Sequence, residues 1–477
     1  MHAVEEKMID VVVIGGGPAG MTAALRAADL GAKTVLVTRD EFGGMAANDG
    51  PVPVRTLAHA ARLLRDARSL GRYGIVVGEP LLDYTRLLAR VGEVVEEVRV
   101  HSTFRTLLDS LGVVVNEQCG IARFTDAHTL ETESGLRLRA DKFVICTGGT
   151  SRRLSVPGAE LTATHSDAWG LTAVPPSMIV IGGGATGAQV ASIFNAFGSR
   201  IKLFQSGPRI LPTEDEEVSA VVADAFRESG IEVREDFGSI ESFERTPAGV
   251  RMFFSKDGRR EETEAALAVI AIGWAANTDD LSLERVGVET DGRDFVRVDE
   301  FLRTSAPHVF AAGDVTGRMM LVPQAIQEAF VAATNAVRGA TMKELEGAAP
   351  IGSFTEPEYA QVGLTEKQAR AVGEVVVAKV SFDSTTRTII DGRTSGFCKL
   401  IVDSLTRQIV GCHVVGERAV ELTQVAAVAM AGRMRVDDLA QVPLSFPTYA
   451  GVLGRVAAKA TRQLNLKLDW LGSQMEG

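Results

Sequence analysis

Two stretches of this sequence combine an unbroken apolar run, a cluster of glycines and an alanine-rich segment. The first is DVVVIGGGPAG at residues 10–20, which continues at helical spacing to Leu30 and is followed by KTVLV. The second is MIVIGGGATG at residues 178–187, again with an alanine-rich continuation. An apolar run without alternation is typical of a strand buried on both faces of a parallel sheet. Each stretch therefore predicts a strand, a tight turn and a helix, and their similarity indicates an internal repeat of one fold.

The rest of the pattern predicts further elements around these two repeats. We expect helices at 59–70, 83–108, 217–229 and 322–338, and strands at 113–115, 143–147, 201–204, 266–272 and 309–314. From residue 351 the pattern changes to α+β, with strands at 375–382, 396–402 and 409–415 and a helix at 419–432. Residues 346–350 are expected to form a linker. The predicted fold class is α/β, with two Rossmann-type dinucleotide-binding domains and a C-terminal α+β domain.

The glycine spacing explains what the repeated turns are for. Gly15, Gly17 and Gly20 are spaced as G-x-G-x-x-G between the predicted strand and helix. This arrangement suits a turn whose backbone approaches a pyrophosphate at a helix N-terminus, where a Cβ would interfere. Because the second stretch repeats this spacing, two dinucleotides are expected, and two redox nucleotides in one chain indicate electron transfer between them. The alternative is that one copy is only scaffold.

Composition excludes several other classes of function. The 477 residues include 50 basic and 61 acidic side chains, a net charge of −11 that argues against nucleic acid as a partner. Apolar runs are too short to span a membrane, and the start MHAVEEKMID lacks a signal-peptide core. Four cysteines without metal-binding spacing indicate a reducing cytoplasm. The seven histidines form no ligand pair in sequence, so no metal site is predicted.

Several motifs together carry a family resemblance. They are GGGPAG at 15–20, ICTGG at 145–149, IGGGATG at 181–187, AAGDV at 311–315, FTEPEYAQVGLTEKQA at 354–369 and SFPTYAG at 445–451. In this order they resemble the pyridine nucleotide–disulfide oxidoreductases. The resemblance implies an FAD-binding domain at 1–152 and 276–346, an NAD(P)-binding domain at 153–275, and a dimerisation domain at 350–477. It also implies a homodimer, with FAD as cofactor and NAD(P)H as electron donor.

The resemblance also implies which residues contact the cofactors. Asp314 would hydrogen-bond the ribityl or pyrophosphate part of FAD, and the first glycine loop would hold the pyrophosphate. The predicted cofactor-binding residues are Gly15, Gly17, Pro18, Ala19, Gly20, Thr38, Arg39, Gly43, Gly44, Ala122, Thr147, Gly148, Gly182, Gly184, Ala185, Thr186, Gly187, Gln205, Arg209, Gly273, Gly313 and Asp314.

Two positions in this set depart from the usual nucleotide pattern. Thr38 and Gln205 each lie 23 residues after the first glycine of their loop, where Rossmann units often place an acid on ribose. Both side chains are neutral: Thr38 would still offer FAD a hydroxyl, and Gln205 does not repel the 2′-phosphate of a nicotinamide nucleotide. Arg39 would stack on adenine or reach phosphate, and Arg209 would contact a 2′-phosphate or else lie on the surface. NADPH use, or tolerance of both nucleotides, is therefore expected. Ala185 takes the place of a tyrosine in relatives, which leaves the flavin face open.

The largest departures from the family concern its disulfide chemistry. The family places a C-x-x-x-x-C pair after a GG dipeptide, and here these positions hold Ala46 and Pro51, which follow Gly43 and Gly44. Neither residue forms a thiolate, so the sequence predicts that dithiol exchange at this site is absent. The C-terminal H-P-T-x-x-E signature starts instead with Phe446, which cannot transfer a proton.

These departures from the family pattern also give the candidate catalytic residues. Arg55 and Gln189 replace a Lys–Glu pair of the family. Together they would carry one net positive charge near the flavin, or they would contribute only to structural packing. Phe446 and Tyr449 would line an apolar pocket that suits a planar acceptor, or would only fill the vacated space. The sequence therefore predicts an FAD-dependent NAD(P)H oxidoreductase that passes electrons to a small non-disulfide acceptor, such as a quinone. The alternatives are an oxidase that uses oxygen and a non-catalytic flavin-binding or partner-binding protein.

The cysteines leave one structural question open. If the turn between the strands at 396–402 and 409–415 centres near Leu405, Cys398 and Cys412 fall opposite each other. They would then form either a cross-strand disulfide or a pair of small apolar core residues. The second interpretation suits a reducing compartment.

Overall fold

The computed structural model describes residues 8–100, 103–344, 347 and 349–466, and these form two compact units. The first unit contains the described residues of Met1–Leu57, Asp83–Arg152 and Gly273–Glu346. The second contains those of Ala58–Leu82, Arg153–Ile272 and Gly347–Gly477. Part of the predicted linker lies outside the described residues. The four domain ranges inferred from the sequence stay predictions.

Up to residue 152 the described elements follow in this order: β1 (Ile9–Ile14), α1 (Pro18–Asp29), β2 (Thr34–Val37), α2 (Gly44–Asn48), α3 (Pro51–Ser69), α4 (Tyr84–Val100), α5 (Thr103–Ser110), β3 (Val114–Asn116), β4 (Ala122–Asp126), β5 (Thr129–Thr132), β6 (Arg137–Ile145) and β7 (Gly149–Ser151). The next group is β8 (Ala163–Thr164), α6 (His165–Trp169), β9 (Ser177–Ile181), α7 (Ala185–Ala196), β10 (Arg200–Gln205), α8 (Glu216–Glu228), β11 (Glu232–Glu235), β12 (Ser239–Thr246), β13 (Gly249–Lys256), β14 (Arg259–Ala265) and β15 (Leu267–Ile270). The last group is β16 (Trp274–Ala276), β17 (Val309–Ala311), α9 (Val322–Arg338), β18 (Ile351–Ser353), β19 (Tyr359–Gly363), α10 (Glu366–Val372), β20 (Val375–Ser381), α11 (Thr386–Ile390), β21 (Phe397–Asp403), β22 (Ile409–Val415), α12 (Ala419–Ala431), α13 (Val436–Ala440) and α14 (Gly451–Gln463).

In the first unit, β1 lies at the centre of a parallel sheet. It pairs with β2 on one side and β6 on the other, β3 extends the sheet beyond β2, and β17 pairs in parallel with β6. Val11, Val12 and Val13 are almost completely buried, as the unbroken apolar run predicts. Helices α1 and α9 pack against each other beside this sheet. The carboxyl ends of β1, β6 and β17 therefore meet at one edge, where the predicted cofactor residues begin.

The second unit contains another parallel sheet, in the order β11-β10-β9-β15-β8. An antiparallel sheet of β12, β13 and β14 adjoins it in sequence. After residue 350, a five-stranded antiparallel sheet in the order β18-β19-β22-β21-β20 buries one face under α12 and α14. The parallel sheets and the α+β region match the predicted fold class. Within the described residues, none of the helices is sufficiently long and apolar to cross a lipid bilayer.

The register of β21 and β22 corrects one sequence expectation. Cys398 pairs with Val414 and Leu400 pairs with Cys412, so the two cysteines do not lie opposite each other, and the predicted alignment was wrong. The pairing of Val402 with Ile409 already places the turn later than expected, and an irregularity after Ile401 shifts the register further. Both thiols are free and fully buried in the core of the sheet. The alternative interpretation, two small apolar core residues, is confirmed.

Candidate dinucleotide sites

Packing within the protein requires glycine at two positions of the first loop. Gly15 has a φ of +112°, and a Cβ on it would lie 2.2 Å from the carbonyl oxygen of Cys146. A Cβ on Gly20 would lie 1.7 Å from the carbonyl oxygen of Gly15. The Gly15 N–H donates to the Val37 carbonyl at 2.8 Å, which fixes the turn at the end of the strand. These two glycines let the strand, the turn and α1 pack closely.

Gly17 differs, because the protein itself leaves room for a side chain there. The nearest atom to a Cβ on Gly17 is the Cα of Gly44, at 3.9 Å, and its φ of −78° suits any residue. Gly17 is the N-cap of α1, and no side chain of the described residues caps this end, where Pro18 and Ala19 begin the helix. A ligand that approaches the backbone closely accounts for the glycine, and an anion is favoured at a helix N-terminus. The loop therefore fits the pyrophosphate of FAD.

Gly43 and Gly44 support this loop from the following turn. The Gly43 N–H donates to the Gly16 carbonyl at 3.0 Å, and Gly43 has a φ of +102°. A Cβ on Gly44 would lie 2.7 Å from the Cα of Gly17. The pair thus lets the chain before α2 pass directly over the loop backbone. Any direct contact of these two residues with FAD stays a prediction.

Thr38 and Arg39 occupy different environments at the end of β2. Thr38 is buried, and its Oγ1 donates to the Asp40 carbonyl at 3.1 Å. Arg39 is exposed and forms an ion pair with Asp40 at 2.9 Å. Ala122 begins β4 and is half-buried. Thr38 packs close to the first glycine loop, because a Cβ added to Gly16 would lie 3.1 Å from the Thr38 Cβ. The roles of these three residues toward FAD stay predictions.

Thr147 and Gly148 are held by a residue that the sequence reasoning missed. Thr147 Oγ1 donates to the Asn277 carbonyl at 2.8 Å, and Asn277 Nδ2 donates to the Thr147 carbonyl at 3.0 Å. The backbone N–H of Asn277 donates to the Gly148 carbonyl at 3.1 Å. Gly273 precedes this segment and has a φ of +104°. No sequence motif marks Asn277, since a single asparagine after a short strand is common in loops.

Asp314 lies at the carboxyl end of β17, largely buried, and burial raises the pKa of its carboxyl group. The preceding Gly313 has a φ of +81°, and its N–H donates to Oε2 of Glu328 at 2.8 Å. Glu328 is a second residue that sequence reasoning missed. The available signal was an acid on the apolar face of the 322–338 helix, beside Ala325 and Ala329.

The second glycine loop repeats the geometry of the first. Gly182 has a φ of +103°, and a Cβ on it would lie 2.2 Å from the Ala271 carbonyl oxygen. A Cβ on Gly187 would lie 1.8 Å from the carbonyl oxygen of Gly182. Around Gly184, which caps α7 with a φ of −75°, no atom lies within 4 Å of an added Cβ among the described residues. As at Gly17, packing within the protein does not require glycine at position 184. The close approach of a phosphate group to the backbone would explain the glycine.

The residues around this second loop have defined partners. Gln205 Oε1 accepts the N–H of Gly183 at 2.8 Å, so its amide group holds the loop. The Arg209 guanidinium donates to the carbonyl oxygens of Leu211, Pro212 and Glu214, at 3.0 to 3.1 Å. Arg209 therefore binds its own backbone turn in this conformation, and its contact with a 2′-phosphate stays a prediction. Ala185 and Thr186 form the first turn of α7, with Ala185 exposed.

The candidate catalytic residues belong to both units. Arg55 lies on α3 in the first unit, and Gln189 lies on α7 in the second, where its Oε1 is buried without a hydrogen-bond partner among the described residues. Phe446 is 83% exposed. The Tyr449 hydroxyl donates to Asp391 at 2.9 Å; burial and this hydrogen bond raise the pKa of the phenol. Their catalytic roles stay predictions.

The positions of the cysteines bear directly on the chemistry. All four are buried and free, at residues 119, 146, 398 and 412. The segment from Met45 to Arg55, which forms α2 and the start of α3, contains none. Burial raises the pKa of the Cys146 thiol, which keeps it protonated and unreactive. Among the described residues, no group of three or more His, Cys, Asp or Glu side chains is arranged to hold a metal ion.

Comparisons with known proteins agree with two dinucleotide loops and a C-terminal sheet. Residues 9–329 match the model of the pyridine nucleotide-disulphide oxidoreductases, and residues 349–457 match the dimerisation domain of the same proteins. The chain belongs to the pyridine nucleotide-disulphide oxidoreductase family. Members of this family bind FAD and use NAD(P)H, which confirms the family, fold-class and cofactor predictions. The dimerisation domain supports a homodimer.

Individual relatives cover nearly the whole chain. A dihydrolipoyl dehydrogenase of Zymomonas mobilis is 32% identical over 455 residues, which cover 92% of this chain and 95% of that protein. A mercuric reductase of Lysinibacillus sphaericus is 31% identical, over 94% of this chain and 82% of its own. Among solved structures, the HOCl-induced flavoprotein disulfide reductase RclA of Escherichia coli superposes with a TM-score of 0.83 at 24% identity, covering 94% of this chain and 99% of RclA. The last comparison shows the fold alone.

Proposed function

We propose that this protein is an FAD-dependent NAD(P)H oxidoreductase whose electron acceptor is not a disulfide but a quinone or a similar small redox compound. The family and its cofactors give the first half of this proposal. The positions of the cysteines support the second half, that the acceptor is not a disulfide. Disulfide reductases of this family need a reactive pair beside the flavin, whereas this chain has Ala46 and Pro51 where the resemblance places that pair. A buried neutral thiol such as Cys146 does not replace it.

The chain's own residues would bind and orient the cofactors. When bound, FAD supplies the two-electron chemistry that connects a nicotinamide donor to the acceptor. The α1 N-terminus at Gly17 would hold the FAD pyrophosphate, and the α7 N-terminus at Gly184 would hold that of the nicotinamide nucleotide. Arg55 would place a positive charge near the flavin. Such a charge favours the more negative, reduced state of the cofactor.

The acceptor side is proposed from aromatic residues of the dimerisation domain. Phe446 replaces a proton-transferring histidine and is exposed in the single chain. In a homodimer it would present a flat apolar wall to the partner copy's flavin, together with Pro447 and the ring of Tyr449. The Arg387 guanidinium lies 5.6 Å from the Tyr449 ring centroid, and Asp391 accepts from its hydroxyl, so the ring has a fixed position. A planar quinone suits such a surface by stacking.

We propose that the donor site discriminates only weakly between NADH and NADPH. Gln205 offers the ribose neither the carboxylate that selects a 2′-hydroxyl nor a cation that selects a 2′-phosphate. Arg209 donates to three carbonyl oxygens and would have to release them to bind a phosphate. The cytoplasmic location inferred from cysteine usage stays a prediction.

Anaerobic stopped-flow spectroscopy tests this function. We expect the 450-nm absorbance of bound FAD to fall when NADH or NADPH is added, and to recover on mixing with a benzoquinone but not with lipoamide or glutathione disulfide. Recovery with oxygen alone, at the rate of NAD(P)H consumption, would favour an oxidase instead. Absence of bleaching by either nucleotide would contradict the proposal and favour a non-catalytic flavoprotein.

A further inference from the structure

Glu328 is a buried acid that no part of the proposed reaction uses. Its side chain lies on α9, with the residue 1% exposed. Oε2 accepts the Gly313 N–H at 2.8 Å, while Oε1 has no partner with hydrogen-bond geometry among the described residues. A carboxylate buried with only one well-formed hydrogen bond is costly, and such groups commonly reduce the cost by taking up a proton. The Gln324 side chain offsets only part of this cost, since the net pKa of Glu328 is raised.

The position of Glu328 connects it to the FAD loop. Gly313, to which it is bonded, is followed directly by Asp314. A Cβ on Gly313 would lie 3.1 Å from the Cβ of Ala19, in the first turn of α1. Cys146, which follows β6, also lies close enough for the Glu328 charge to raise the pKa of its thiol. Glu328 therefore lies where the three segments of the FAD cradle, at the ends of β1, β6 and β17, come together.

We propose that Glu328 is a proton-linked positioning residue for FAD, which holds the Gly313–Asp314 turn and takes up one proton from solvent when FAD binds. The turn needs an acceptor, because Gly313 has a φ of +81° and its N–H points into the protein. Both the carboxylate and the neutral carboxylic acid retain an oxygen that accepts this bond. Only the carboxylate opposes the negative charge of the FAD pyrophosphate. The inference rests on the proposed FAD cradle and is independent of the electron acceptor.

The direction of the pH dependence follows from these charges. Burial raises the pKa of Glu328 to about 7, against the opposing effects of the Gly313 N–H, Arg318 and Gln324. A bound dianionic pyrophosphate would raise this pKa further. FAD affinity is then greatest below pH 7, where Glu328 is already neutral, and decreases as the pH rises through 7. Each unit by which FAD raises the pKa gives about a tenfold loss of affinity across this range.

Other titratable or charged groups lie near Glu328 on the neighbouring elements. They are the Cys146 thiol after β6, Arg318 between β17 and α9, and Glu344 beyond α9. Asp314 directly follows Gly313, whose N–H Glu328 binds. Burial and the Glu328 charge raise the pKa of Cys146, and burial raises the pKa of Asp314. Asp314 is thus the competing source of a pH effect, and the test must separate it from Glu328.

Release of FAD from the holoenzyme tests the proposal. We would dilute the holoenzyme at several pH values between 6 and 9 and measure free FAD by its fluorescence. The variants are Glu328→Gln, which keeps an acceptor oxygen for Gly313 but cannot titrate, and Glu328→Leu, which removes the acceptor. Glu344→Gln is the matched control, because it removes a nearby carboxylate that binds Arg318 and Gln324 rather than Gly313.

In the native holoenzyme and in Glu344→Gln, we expect the FAD dissociation constant to rise about tenfold between pH 6 and pH 9. The rise should begin at a lower pH in Glu344→Gln, because the Glu344 charge raises the pKa of Glu328. In Glu328→Gln the dissociation constant should stay within twofold over the same range, and Glu328→Leu should release FAD readily at every pH. A flat profile in the native holoenzyme would overturn the proposal without any variant. An unchanged pH profile in Glu328→Gln would also overturn it and would assign the effect to Asp314. Neither result depends on which acceptor the enzyme uses.

Discussion

At the scale of single residues, the two glycine loops separate packing requirements from ligand requirements. The sequence predicted all six glycines from their spacing, but it treated them as equivalent. In the structure, a Cβ added to Gly15 or Gly20 would lie 2.2 Å or 1.7 Å from a backbone oxygen, so packing requires glycine at both positions. A Cβ added to Gly17 would lie 3.9 Å from its nearest neighbour among the described residues, so packing does not require glycine there. The spacing reflects both causes at once, and only the local geometry distinguishes them. The distinction gives a matched pair of experiments.

We expect Gly17→Ala to leave folding intact and to lower the FAD content of the purified protein. Within the described part of the chain, an added Cβ meets no atom closer than 3.9 Å, but it would occupy the space that the pyrophosphate needs. Its counterpart Gly184→Ala should keep full FAD content and raise the KM for NAD(P)H, by about tenfold or more for a loss of about 1.4 kcal/mol. Flavin absorbance and steady-state kinetics measure the two effects. Full FAD content and an unchanged KM in both variants would contradict the assignment of the loops.

The choice of nicotinamide nucleotide is also decided at the scale of a residue. Gln205→Glu should favour NADH over NADPH by at least about tenfold, because a carboxylate binds the 2′-hydroxyl and repels a 2′-phosphate. The ratio of kcat/KM values for the two nucleotides measures this effect. Gln205→Leu is the control, since it loses the bond to the Gly183 N–H without adding charge. An equal change of ratio in both variants would show that Gln205 acts only by holding the loop.

At the scale of elements, sequence periodicity located long regular elements better than short irregular ones. The predicted helix at 322–338 coincides with α9, because its apolar face is continuous along five turns. The hairpin of β4 and β5 was not predicted, since its short strands mix charged and apolar residues. The region 83–108, predicted as one helix, contains α4 and α5, and residues 101–102 between them lie outside the described residues. Register errors, as for Cys398 and Cys412, arise from local irregularities that periodicity does not record.

A buried ion cluster joins elements of the second unit and was not predicted either. Lys399 on β21 is 1% exposed, and its Nζ lies 2.8 Å from Asp215 and 2.9 Å from both Glu217 and Glu366. Burial alone would lower the pKa of Lys399, but the three carboxylates outweigh it and raise the pKa. Lysine in the middle of an apolar strand gives no sequence signal for its three distant partners. The cluster connects β21 with the start of α8 and with α10.

Removal of this buried cation should be strongly destabilising. We expect Lys399→Met to lower the free energy of unfolding by about 3–5 kcal/mol, because it leaves the buried carboxylate of Asp215 without its cation. Lys379→Met is the matched control; Lys379 also pairs with Glu217 but is 45% exposed, so its loss should be about 1 kcal/mol or less. Urea unfolding measures both. Similar losses in the two variants would contradict the special role of the buried lysine.

The same cluster gives a pH dependence with a defined sign. Burial raises the pKa of Asp215, but hydrogen bonds from Lys399 and from the Glu366 backbone outweigh it, and the net pKa is lowered. A lowered carboxyl pKa stabilises the fold above the ordinary value near 4, and this contribution is lost as the pH falls below it. The difference in stability between the native protein and Lys399→Met should therefore shrink as the pH falls from about 6 toward 3. A difference that grows on acidification would contradict this interpretation.

At the scale of the whole molecule, family membership and chemistry have separate origins in the sequence. The resemblance to the pyridine nucleotide-disulphide oxidoreductases follows from glycine loops and strand ends distributed over residues 9–457, and it is confirmed. The chemistry depends on a few side chains. Ala46, Pro51 and Phe446 are too few to alter the fold, but in the proposed function they remove the thiols and the proton donor from the acceptor side. The identity of the acceptor cannot be derived from the fold, because folds accommodate many reactions.

The central claim is that electrons pass through FAD without a redox-active disulfide. An anaerobic reductive titration, with thiols counted after denaturation, tests this claim most directly. We predict that one equivalent of NADH or NADPH per FAD completes the reduction of the protein, and that four thiols are counted both before and after, because all four cysteines are free. Uptake of two equivalents, with the thiol count rising from two to four, would reveal a redox-active disulfide and contradict the account.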